Sequence, residues 1–397
     1  MVEAAMHPML RPKISKDGRR VVSGCGVIAP RISVSLDAAG KSPFTRILAG
    51  RGGCDPYGGV CSDLYQDLLA SAAFCGKGLI DVDCYDAVLT GRFPKERILS
   101  HDLLEGAYLG CAYAGDVELT DGFPKSAVSF FKRQHRWVRG DWQIAAWLGT
   151  RVPTEDGRDE NPLKDGDKWK IFDNLRRSLV PVAAFASIML GLNSSRRDLW
   201  ITSLISLAAY FSGSLLSAAM EAAHYTFNRG RLRPESREIL PLRLAAMLLR
   251  FALLPFEAWI NLSAIVTALY RILISKRGLL DWVTAAQTEG GKGGSSDFFA
   301  LWPCLLSGAV AVVTSIDAAG YIAAALWLSA PFALSYLMKA YPGESRCPQK
   351  TECILWMPAV LPTPTFRIRV QSITIFRRIT GRYVLHWALP TAPRPRI

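Results

Sequence analysis

Four stretches of the chain, 178–194, 199–223, 298–317 and 320–338, are nearly free of charged residues. A helix rises ~1.5 Å per residue, so about 20 apolar residues are needed to cross a hydrocarbon core of ~30 Å. The first run is short for a span and the other three are adequate, which predicts four transmembrane helices. A further apolar stretch, 239–274, is interrupted by Arg243, Arg250 and Glu257 at seven-residue spacing. Seven residues make almost two helical turns, so the three charges share one stripe, and Pro255 is expected to bend the segment. A charged stripe on an apolar helix suits a membrane surface better than its centre, so this stretch reads as an interfacial helix.

Upstream the pattern changes. Residues 19–36 (RRVVSGCGVIAPRISVSL) read as strand and 61–74 (CSDLYQDLLASAAF) as helix, an α/β mixture. The expected organisation is a soluble α/β part over 1–177, membrane and interfacial helices over 178–342, and a tail over 343–397. The 224–238 loop (HYTFNRGRLRPESRE) carries four arginines, whereas the turn at 317–320 (DAAG) carries no basic residue. Basic loops stay on the inner side, which places 224–238 and 1–177 in the cytoplasm, although Arg196 and Arg197 in the 194–198 loop run mildly against the rule.

Composition sharpens this reading. Half of the 397 residues are hydrophobic, and the formal net charge is +13. From Ser345 to Ile397 there are nine Lys or Arg against Glu352, so +8 lies in the tail and +5 in all the rest. A basic protein suits an anionic partner, but with the excess confined to one end a nucleic-acid function is set aside. The nine cysteines form no CxxC pair, which predicts reduced, mostly buried thiols facing a cytoplasm. The N-terminal MVEAAMHPMLRPK lacks the apolar core of a signal peptide.

Several stretches could carry chemistry. In FCGKGLIDVDCYD, Gly76 and Gly78 flank Lys77. Glycine lets backbone approach a ligand, and the lysine could meet a phosphate or a sugar hydroxyl, but as a motif alone this is weak and the same residues read more readily as a plain turn. Asp81 and Asp83 have the spacing of a divalent-metal pair, but an Asp ahead of a helix is also an ordinary N-cap. In GRFPKERILSHDLLEGAYLG, Asp102 opens a helical run and is either a general base or, with Ser100, a cap. In FFKRQHRWVRGDWQ, Arg133, Gln134, Arg136 and Trp137 offer a guanidinium fork for a diphosphate and an indole face for a sugar ring. A basic–aromatic membrane collar has the same composition, but the first apolar run begins some 40 residues downstream.

GRFPKERILSHDLLEG followed by RQHRWVRGDWQIAAWL resembles the glycosyltransferase module of the cyclic β-1,2-glucan synthases, and HPMLRP, SDLYQDL, FCGKGLIDVDCYD and LLDWVTAAQTE resemble further segments of that family in the same order. The resemblance runs from about Met6 to Tyr341. It implies a bacterial inner-membrane, inverting transferase of the GT-A type that moves glucose from UDP-glucose to the 2-hydroxyl of a β-glucan acceptor. Asp102 would be the catalytic base, Arg136 the diphosphate contact, and Trp137 the acceptor-stacking residue. Arg133 and Gln134 would lie beside them, and Gly76, Lys77 and Gly78 would form the acceptor-side loop.

The family's uridine-binding Asp and its acid-x-acid metal pair lie upstream of the HPMLRP equivalent. The Mg or Mn expected in the complete enzyme would therefore have its ligands outside this chain, with no metal residue assigned here. A fragment inactive alone, or completed by a separately encoded upstream portion, is the resulting expectation; a non-enzymatic membrane protein with a sugar-binding or scaffolding role is the alternative. The tail is expected to be disordered and frameshifted: IFRRITG and HWALPTAPRPRI, back-translated with permitted codons and read from the third base, give FPPDNG and LGIAHRTSPTN, which resemble the family's linker region.

Overall fold

The computed structural model describes residues 1–49, 62–192, 197–227, 234–281, 295–339 and 383–386. In the N-terminal part a four-stranded mixed sheet is built on Val27–Val34 (β1), a strand buried at nearly every position. It pairs antiparallel with Gly78–Asp81 (β2) and parallel with Cys111–Asp121 (β3). Tyr383–His386 (β4) adds antiparallel to the outer edge of β2. These four residues depart from the expectation of a tail that packs on nothing, because the β2 edge offers unpaired backbone groups and β4 satisfies them. The rest of 343–397 lies outside the described residues.

The sheet and its flanking helices enclose a core of Val27, Phe74, Ile80, Val88, Leu104, Tyr108, Leu109 and Trp147. Asp102–Leu109 (α1) precedes β3. Ala127–Gln143 (α2) follows it, capped by Ser126, whose hydroxyl accepts from Ser129 N at 3.1 Å. Phe131 on α2 packs with Phe44, Leu253, Phe256 and Leu334 in a second core made largely of membrane-type helices, so α2 joins the two parts of the molecule.

Among the described residues three helices are long and apolar enough to cross a membrane: Asp165–Leu192 (α3), Leu240–Ser275 and Ala318–Leu337. Only the 320–338 run keeps its predicted bounds closely. The 178–194 run is the distal part of the 28-residue α3, which begins 13 residues before it. Asp165 and Asp167 favour the helix N-terminus there, and the boundary drawn at 177/178 falls inside a continuous helix. The 199–223 run is a bent pair, Arg197–Tyr210 (α4) and Ser212–Phe227 (α5), turning by 76° at Phe211, directly before Ser212-Gly213-Ser214, residues of weak helix preference. Of the 298–317 run, the helix Trp302–Thr314 (α7) is 13 residues long and would span only ~20 Å.

The stretch expected to lie at the membrane surface falls in a helix that is also long and apolar enough to cross. Pro234–Tyr270 (α6) is one continuous helix through Pro255, and Leu253, Leu254, Ala264 and Ala268 on it are buried. Pro255 lacks the N–H that would bond Phe251 O; the Trp327 indole on Ala318–Leu337 (α8) donates to that carbonyl instead, at 3.1 Å. Glu257, part of the supposed surface stripe, turns inward and accepts from Gln134 and Tyr210. A charge with such partners can sit within a bundle.

Candidate functional site

Three segments converge at Asp102. It begins α1, and Gly76 lies against it from the loop before β2. Gly76 has φ +82°, and a Cβ there would stand 2.9 Å from all three carboxyl-group atoms of Asp102. Only a residue without a side chain permits both that backbone and that approach. The third segment is α2, which comes close to the loop before α1 because Gly140 has no Cβ: one placed there would be 2.7 Å from Ser100 Cβ. Gln143 fastens the same loop, accepting from Leu99 N at 2.7 Å and donating to Leu279 O at 2.9 Å. Arg139 is buried and donates to the carbonyl of Asp281, so the start of the LLDWVTAAQTE segment docks on the end of α2.

The charges are arranged around that convergence. Burial and the neighbouring Arg133 hold the Arg136 guanidinium below its ordinary pKa, while the charge of Asp102 opposes the shift. Arg133 lies over Trp137 at 4.7 Å and near Phe123 and Phe130 at 5.6 and 5.8 Å, cation–π distances that preset the guanidinium. The indole of Trp137 remains 37 % exposed. Lys77 is ion-paired with Asp121 at the end of β3. Burial raises the Asp121 carboxyl, but Lys77, the Gly122 amide and Arg133 together hold it below its usual value.

Behind Asp102 stands a group that the sequence reading passed over. His101 Nδ1 lies 2.9 Å from Glu105 Oε1, and Tyr85 donates to the same carboxylate at 3.0 Å. Glu105 raises the His101 pKa, with burial opposing and Asp102 assisting; burial, then Glu105, pushes the Tyr85 hydroxyl up to about 12. The i, i+4 spacing of His101 and Glu105 was the available signal. His101, Asp102 and Glu105 have ligand atoms within 4.8 Å of one another. They do not fit Mg or Mn, which require several free oxygen ligands: Glu105 is already committed to Tyr85 and His101. Asp81 is equally unsuited, because it is buried and caps the next helix through Cys84 N at 3.0 Å.

The structure thus brings together Gly76, Asp102, Arg133, Arg136 and Trp137. Lys77 is beside them but spends its charge on Asp121. Gly78 serves packing, since a Cβ there would lie 2.5 Å from Ile28 O. Gln134 faces the other way, donating to Glu257 at 3.2 Å and Asn261 at 2.9 Å. Among the described cysteines Cys25, Cys84, Cys111 and Cys304 are buried free thiols and Cys75 is an exposed one.

No protein-family model matches the chain. It is 34% identical over 367 residues to the cyclic beta-(1,2)-glucan synthase NdvB of Rhizobium meliloti (strain 1021). That similarity covers 89% of this chain and 13% of the relative.

Proposed function

We propose that the chain is a cyclic β-glucan synthase-like membrane protein whose Asp102 face is the acceptor and leaving-group side of an inverting glucosyltransferase site that uses UDP-glucose. The observation that carries the reading is the cradle at Asp102, where Gly76 gives up both a side chain and an ordinary φ to let backbone meet a carboxylate. Asp102 takes the proton of the acceptor 2-hydroxyl as that oxygen attacks the anomeric carbon; the bond to the diphosphate breaks on the opposite face, and the electron pair leaves with UDP. Arg136, steadied by Arg133, meets the diphosphate charge, and the exposed indole of Trp137 stacks on a sugar ring. The soluble part lies on the cytoplasmic side of a bacterial inner membrane, consistent with the four arginines of the 224–238 loop.

The chain corresponds to 13% of its relative, so we propose that these 397 residues bind sugar but do not polymerise it unaided. Two measurements on the purified chain in lipid test this. A β-1,2-linked gluco-oligosaccharide should quench tryptophan fluorescence, with Trp137→Ala weakening binding at least tenfold, in line with ~1–1.5 kcal/mol or more for an aromatic contact. Labelled UDP-glucose with Mg or Mn should yield no polymer. Unchanged binding by Trp137→Ala removes the stacking role, and polymer from the chain alone overturns the division of labour.

A further inference from the structure

Beneath the site, polar side chains from four helices meet in otherwise apolar surroundings. Glu257 on α6 accepts from Gln134 Nε2 of α2 at 3.2 Å and from the Tyr210 hydroxyl at 2.5 Å. Tyr210 is the last residue of α4, at the 76° break of the bent membrane pair. One turn along α6, Asn261 accepts from Gln134 at 2.9 Å and donates to Ser178 O of α3 at 2.9 Å, and Ser178 Oγ accepts from the Trp142 indole of α2 at the same distance. A small cavity of about 30 Å³ lined by Phe130, Gln134, Arg250 and Glu257 borders the cluster. A carboxylate in an apolar bundle is costly unless its partners are fixed, so the cluster has one low-energy arrangement. Gln134 is adjacent to Arg133 and two residues before Arg136, so the rotation that satisfies Glu257 also sets where the basic–aromatic face points.

We propose that Glu257 is a positioning residue: through Gln134 it fixes the rotation of α2 and so aims Arg133, Arg136 and Trp137 at Asp102, while Tyr210 ties that setting to the break in the bent membrane pair. The functional part of this inference rests on the transferase reading above; the mechanical part does not. The test uses the full chain in lipid nanodiscs and hydrogen–deuterium exchange. Glu257→Ala should speed exchange within 127–143 at least tenfold and leave 318–337 within twofold of wild type. Glu257→Gln, which can still accept from Gln134 and pair with Tyr210, should restore the wild-type rate within twofold. Should Glu257→Ala not fold, Gln134→Met removes the same contact from the α2 side with the same expected local effect. Unchanged exchange in 127–143, or equal acceleration in every helix, overturns the proposal. UDP titrations on the same samples separate the two readings. Weaker binding by Glu257→Ala than by Glu257→Gln supports the coupling to the site, whereas a wild-type chain that binds neither UDP nor oligosaccharide sinks the transferase reading and leaves the exchange result to decide the mechanical one.

Discussion

Gly76 and Asp102 make a mutual demand that a single methyl group can break. At φ +82°, with the Asp102 carboxyl atoms 2.9 Å from its would-be Cβ, Gly76→Ala must strain the backbone and displace the carboxylate, at a cost of ~1–3 kcal/mol for the backbone alone. The expected outcome is a lower thermal midpoint together with a loss of oligosaccharide binding of at least tenfold; retention of both would show that the loop has room to shift. Asp141, near the C-terminal end of α2, carries a different signature. Burial pushes its carboxyl up to about 7, only partly offset by Asn174 at 3.1 Å and by Arg177. With a folded pKa above the ordinary 3.8, the folded state holds the proton more tightly than the unfolded chain does. Its stabilising contribution is therefore complete below about pH 4 and is lost as pH rises to about 7. Melting in detergent should show wild type losing stability between pH 5 and pH 8 relative to Asp141→Asn, and parallel profiles would contradict the assignment. At this scale the sequence was partly legible. Asp102, Arg136 and Trp137 stood out as candidates, with Asp102 left open between base and cap until the resemblance, but Gln134 could not be turned away from them, because its partners Glu257 and Asn261 lie more than 120 residues on.

The helices are held by polar contacts that a hydropathy pattern does not register. Lys170 on α3 is fully buried, donating to Ala72 O at 3.1 Å and paired with Asp167 at 3.2 Å, and it fastens the stem of the first long helix to the soluble core. Removing one partner of a buried pair typically costs ~3–5 kcal/mol, whereas replacing both with apolar residues is often far milder. Asp167→Ala should therefore destabilise strongly and Lys170→Met/Asp167→Leu should recover most of the loss, as read from chemical unfolding. A double variant as weak as the single one would mean that the contact to Ala72 O, and not the ion pair, holds the stem. In the same way Trp327 answers the vacancy left by Pro255, so Trp327→Phe should cost ~1–3 kcal/mol by leaving a buried carbonyl unmatched, seen as a lower melting midpoint; no change would mean that Phe251 O has another donor. The run at 320–338 was readable because nothing charged interrupts it. In the stretch at 239–274 the partners of Glu257 lie on two other helices, which a charge pattern does not reveal, and the bend at Phe211 escaped the pattern because a local Ser-Gly-Ser brings no change of polarity.

Across the whole molecule, α2 is the joint. It presents Arg133, Arg136 and Trp137 to the soluble site, buries Phe131 among membrane-type helices, and reaches Glu257 through Gln134. The change from mixed strands and helices to long apolar helices was legible from the change in periodicity, but where one gives way to the other was not, since α3 runs unbroken across the expected boundary. The role of Asp102 as the base of a glucosyltransferase is open to a test by exchange of segments. Residues 6–341 replace the matching segment of the Rhizobium meliloti synthase, and membranes carrying the chimera are assayed for glucan made from labelled UDP-glucose. The chimera is expected to make glucan, and its Asp102→Asn form to be slower by about 10²–10⁴-fold while still binding UDP. An Asp102→Asn chimera that retains more than about a tenth of the parent rate would contradict the account and leave Asp102 as no more than the first residue of a helix.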